Sequence, residues 1–109
     1  MGIFGLSSKE QLSQAVADTN SLIRRAQSIL TTVGPDMSRL SYSQKSDLRD
    51  LGGQILTRMN DIIPLVERNQ NLMMATVPGF DGPVPAVTWM MWAMQWFDSF
   101  ERTVKPAIF

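Results

Sequence analysis

Residues 7–35 read SSKEQLSQAVADTNSLIRRAQSILTTVGP, and the class of the protein follows from their spacing. Leu12, Ala15 and Val16 are followed one heptad on by Leu22 and Ile23, then by Ala26, Ile29 and Leu30, with Val33 opening a fourth repeat. Three apolar positions in seven make a stripe wide enough to face the core of a helical bundle. Lys9, Gln14, Asp18, Ser21, Arg24, Arg25 and Ser28 fall on the other side. Upstream lie two overlapping capping boxes, Ser7 with Glu10 and Ser8 with Gln11, each able to satisfy early N–H groups reciprocally. Downstream, Gly34 offers a residue that tolerates positive φ and Pro35 forbids continuation. The spacing predicts a first helix over about 8–33.

A second helix is predicted over about 41–71. Ser41 with Gln44 forms another capping box, with Asp36 an earlier candidate cap, and Leu48, Leu51, Ile55, Met59, Ile62 and Val66 recur at three- and four-residue steps. Gly52-Gly53 each cost about 1 kcal/mol relative to Ala in a helix interior, so a close approach or a bend is expected there. Pro64 removes a donor and collides with the preceding turn, which predicts a bent helix. Residues 76–85 hold three Pro and two Gly and read as a stiffened loop with Phe80 anchoring it to the body. A third, Trp/Met-rich helix is expected over about 86–105, ended by Pro106. The expected fold is all-α: a small three-helix bundle forming one domain, with an apolar N-terminal arm at 1–6.

Composition narrows the chemistry. Ten Lys+Arg balance ten Asp+Glu, and there is no Cys and no His. The commonest general base and metal ligand is therefore missing, as are thiolate nucleophiles and disulfides. Asp47 and Asp50 stand three apart, but Lys45, Arg49, Arg58 and Arg68 nearby make surface ion pairs the ordinary reading. Phosphate-cradling loops, nucleophile elbows and calcium-loop ligand series are missing from the sequence. The expectation is a protein that is not an enzyme and needs no cofactor or metal. Basic residues are interspersed with acids rather than clustered, so nucleic acid is not an expected partner. The N-terminus has no basic region followed by a long apolar run, and the Ser after Gly2 comes one place late for myristoylation. The most apolar stretch, residues 84–97, is shorter than the about 20 residues a span requires. An intracellular site, or one inside an assembled particle, is expected.

The third helix carries the functional reading. Trp89, Trp92, Trp96 and Phe100 fall at steps of three, four and four, with Met90, Met94 and Phe97 on the flank and Met91 almost opposite the Trp row. A helix apolar on so many sides is more than a three-helix domain can cover, so part of its Trp and Met is expected outside. Trp89, Trp92, Trp96, Phe97, Phe100, Met90 and Met94 are the expected partner-binding residues, joined by Ile3 and Phe4 of the arm. The apolar end Ala107-Ile108-Phe109 suggests a further contact. Aromatics and Met are enriched at protein interfaces. The expected function is a structural subunit of a multi-protein assembly, with a virus particle or similar machine as a natural host and copies of itself or other subunits as partners. Two alternatives use the same helix: a peripheral membrane-surface protein, and a bundle binding a small ligand or peptide in an aromatic pocket.

Overall fold

Helix α1 spans Ser8–Val33, and the expected residues set both ends. The Glu10 amide donates to Ser7 Oγ at 3.1 Å while the Ser7 amide donates to Glu10 Oε1 at 3.3 Å, so one of the two overlapping boxes is used. Gly34 follows at φ 82°, a conformation that L side chains rarely adopt. A short 3₁₀ turn, Met37–Arg39, leads to helix α2, Tyr42–Arg68, which Ser41 and Gln44 cap in the same reciprocal way. The computed structural model describes residues 7–108 of the chain.

Helix α2 runs past Pro64 but stops at Arg68, three residues short of the expected end. Asn69 leaves the helical region at φ −134°, and its side-chain amide donates to the Leu65 carbonyl at 3.0 Å. That side-chain bond takes a carbonyl near the helix end and favours the turn over another helical step. Residues Gln70–Met74 then tighten into a 3₁₀ turn.

The expected loop at 76–85 is instead a small antiparallel hairpin, strands β1 (Thr76–Pro78) and β2 (Pro83–Pro85). The physical reason lies in where its prolines stand. The register is Thr76↔Pro85, Val77↔Val84 and Pro78↔Pro83. The Ala86 amide donates to the Ala75 carbonyl at 2.8 Å and the Gly79 amide to the Gly82 carbonyl at 2.9 Å. Hydrogen-bonded pairs alternate along an antiparallel ladder, so Pro78, Pro83 and Pro85 all occupy positions that need no N–H.

Helix α3 spans Ala86–Thr103, and a final turn, α4, spans Lys105–Ile108. The helix ends two residues before the expected boundary, because a ring at Pro106 collides with the carbonyl four residues earlier.

Four contacts fix how the helices run. Trp89 meets Asn20 and Trp96 meets Gln27, the same offset twice, so α1 and α3 are parallel. Phe100 lies over Gly52 and Ile108 receives a hydrogen bond from Arg49, so α2 runs against both. The architecture is an all-α, up-down-up bundle with extents of 46 × 25 × 20 Å. The α1 and α2 backbones run closest, and large side chains hold α3 further away. The core is built from Leu12, Val16, Ile23 and Ala26 of α1, from Leu48, Leu51, Ile55, Ile62 and Val66 of α2, and from the inner face of α3.

Candidate contact surface

Helix α3 begins after Pro85, whose φ of −61° suits a helix start without a side-chain cap. Its residues divide among three directions. Ala86, Trp89, Ala93, Phe97 and Phe100 point into the core and are buried. Trp92 and Trp96 turn toward α1 and the hairpin and are half-buried. Met90 is half-buried on the α2 side, while Met91 and Met94 stand outside at 59% and 51% exposure.

The placement corrects the sequence reading for three residues. Trp89, Phe97 and Phe100, expected at a partner interface, are sealed within the bundle at 3%, 9% and 5% exposure. Trp89 is held by a polar clamp. Its Nε1 donates to Asn20 Oδ1 at 2.7 Å, and Asn20 Nδ2 donates to the Pro78 carbonyl at 2.8 Å. One buried Asn thus joins α1, α3 and the hairpin with both ends of its amide occupied, as burial of a polar group requires. Phe97 and Phe100 stack with ring centroids 5.9 Å apart, and Trp96 stacks on Phe100 at 5.4 Å. Ile108, expected at a contact end, is also buried. Ile3, Phe4 and Phe109 lie outside the described residues.

Trp92, Trp96, Met90 and Met94 do reach the surface. Trp96 Nε1 donates to Gln27 Oε1 at 3.1 Å. Trp92 lies 4.2 Å from the Phe80 ring in a tilted contact, and the Arg24 guanidinium sits 4.8 Å over that same ring. Phe80 therefore anchors the hairpin as expected, by an aromatic pair and a cation–π contact.

The surface also includes residues that the spacing did not single out. Leu56 of α2 is 43% exposed and Met74, after α2, is 70% exposed. Met91 was left off the expected contact residues although its place opposite the Trp row could have found it, whereas Leu56 is one step off the apolar stripe of α2 and gave no signal.

Three hollows border α3. Between Met59, Ile62, Ile63, Met90 and Met94 the α2/α3 seam is nearly closed, with about 10 Å³ of space. Further along the seam, Leu48, Gly52, Leu56, Phe97 and Ile108 line a groove of about 140 Å³. On the other side, Phe80, Val84, Thr88, Trp89 and Trp92 line a cleft of about 180 Å³ with Asp81 at its rim. A wider trough of about 590 Å³ lies along the polar side of α2, between Arg49, Asp50, Gln54, Thr57 and Arg58.

Charge on α3 is confined to its last turns and is paired there. Arg102 meets Asp98 at 2.9 Å and Lys105 meets Glu101 at 3.2 Å, both exposed (i, i+4) pairs worth little in stability. One carboxyl is displaced from its ordinary titration. Asp36 is held below the usual value by the Ser38 hydroxyl at 2.6 Å and the Ser38 amide at 3.1 Å, which is a capping role. Among the described residues no group of three acidic side chains gathers at a metal-binding spacing. No helix among them is long and apolar enough to cross a membrane. No family model, curated protein or solved structure matches this chain.

Proposed function

We propose that the protein is a non-enzymatic assembly subunit that associates with further copies of itself through the methionine-lined outer side of α3 and the adjoining edge of α2. The observation that carries this reading is that Met91, Met94 and Leu56 are all about half exposed or more, with Met90 half-buried beside them. Exposed Met is adaptable, because an unbranched thioether can repack against another surface at little cost. A balanced charge of ten against ten leaves copies with no net repulsion, which favours self-association.

The membrane alternative fits the same atoms less well. Interfacial helices flank their apolar face with Lys and Arg. The charged turns of α3 hold one acid for each base, in neutral pairs.

The test replaces Met91 and Met94 together with Gln. Met91 and Met94 are each at least half exposed, so stability should change by less than about 1 kcal/mol for the two together. Light scattering should show the wild-type protein gaining mass with concentration and the double variant gaining much less. Vesicle flotation separates the readings: binding to vesicles that the double variant loses, with protein mass unchanged, would favour the membrane alternative. A double variant that melts early yet associates like wild type removes the proposal, since the methionines would then be core.

A further inference from the structure

The exposed parts of Met91, Met94 and Leu56 amount to on the order of 300 Å², well short of the about 800 Å² per partner in a standard interface. Polar neighbours supply part of any such interface, and these three side chains leave room in it for a second apolar contact. We propose that this second contact is the N-terminal segment of one copy seated in the hairpin cleft of another, with the Phe4 ring entering between Phe80, Val84, Thr88 and Trp92. The inference rests on the self-assembly reading above.

Three observations select that occupant. The first is size. The cleft holds about 180 Å³, and an apolar cavity of about 150 Å³ is enough to take up a benzene ring. The second is chemistry. Residues 1–6, MGIFGL, offer Ile3, Phe4 and Leu6 with no charged side chain. The cleft offers aromatic and aliphatic walls; Asp81, the one charged residue lining it, is exposed, and Arg24 rests on the Phe80 ring. Covering it with such a segment buries apolar surface and brings no charged side chain of the segment into the cleft. Aromatic rings inserted beside Trp92 and Phe80 gain edge-to-face contact as well as burial.

The third is reach, and it requires a second copy. The hairpin is bonded to Asn20 and packed on Arg24, thirteen or more residues along α1 from Ser7. At 1.5 Å per residue that is about 20 Å of helix. Phe4 lies three residues before Ser7, which extended chain spans in about 10 Å. A segment that short does not reach its own cleft.

Two variants test the exchange by complementation. Deleting residues 2–6 removes the donor and leaves the cleft. Thr88→Arg places a long charged side chain across the cleft from an exposed position, and its melting curve checks that the fold is intact. Each variant alone should associate roughly tenfold or more weakly than wild type by sedimentation velocity. Mixed in equal amounts they should form one-to-one pairs, because one supplies a cleft and the other a segment. The free peptide MGIFGL should dissociate wild-type assemblies and shift tryptophan emission in the deleted protein but not in Thr88→Arg. If the deleted protein associates like wild type, or the mixture remains monomeric, the exchange is overturned. Association that survives both variants but is lost on replacing Met91 and Met94 would overturn the exchange alone and leave the proposed function standing. A wild-type protein that is monomeric at every attainable concentration would overturn both.

Discussion

Gly52 and Gly53 are neighbours in α2 with the same intrinsic helix penalty, yet the bundle treats them oppositely. Neither has a positive φ, so Ala is conformationally acceptable at both. A Cβ built on Gly53 meets nothing within 4 Å. Gly53→Ala should therefore keep the full propensity gain of about 0.5–1 kcal/mol. A Cβ on Gly52 would lie 3.0 Å from Phe100 Cε1 and 3.3 Å from Cζ, inside the about 3.5–4.0 Å optimum for carbon pairs. Phe100 is buried and has Trp96 and Phe97 stacked at 5.4 and 5.9 Å, so moving the ring away from Gly52 disturbs both of these contacts. Overpacking of this kind costs about 1–3 kcal/mol. Gly52→Ala should thus fall about 1–3 kcal/mol below Gly53→Ala, and Gly52→Leu further still. Urea unfolding followed by tryptophan fluorescence reads the difference as a shift of midpoint at constant slope. In a Phe100→Leu background the gap between the two alanine variants should shrink, which assigns it to the ring. Equal stabilisation by both alanines would refute the reasoning, since it would mean that Phe100 yields without cost.

The remaining expectations are separate from one another. Asn20→Leu leaves the buried Trp89 Nε1 without its acceptor and removes the donor to the Pro78 carbonyl, and should destabilise the domain by about 1–3 kcal/mol; a midpoint unchanged in urea would show the clamp to be dispensable. Ile23→Ala should cost about 2–5 kcal/mol while Ser21→Ala on the exposed face changes little, and equal small effects would contradict the core assignment of α1. The Asp36 carboxyl should titrate below its ordinary value of 3.8, with its contribution to the 37–39 turn complete above that value and lost as pH falls through the lower, folded one. NMR titration of the Asp36 side chain checks this, and a midpoint at or above the ordinary value would show that the Ser38 contacts do not hold in solution.

Much of this fold was legible residue by residue. The boundaries of α1, the capping boxes at Ser7 and Ser41, the turn at Gly34 and the apolar stripes of α1 and α2 all matched their spacing. Each depends on hydrogen bonds and side-chain periods between residues at most a few positions apart, and those are set by the chain locally. The hairpin at 76–85 was within reach of the same logic. Its prolines alternate with residues that do donate, but the composition of the segment suggested a loop and hid the alternation.

The candidate surface was less legible, and α3 shows why. Its sequence established that it had more apolar surface than a three-helix domain can cover. It did not establish which part would remain outside, because that depends on rotation about the helix axis. The rotation is set by Asn20 and Gln27, sixty-nine residues away, which hold Trp89 and Trp96 against α1, and by Gly52, whose missing side chain admits the Phe100 ring. With those aromatics turned inward or toward α1, the surplus left on the surface is methionine rather than tryptophan. Local chain chemistry specifies a helix and how much apolar area it carries, while the direction that area faces is a property of distant partners brought together by packing.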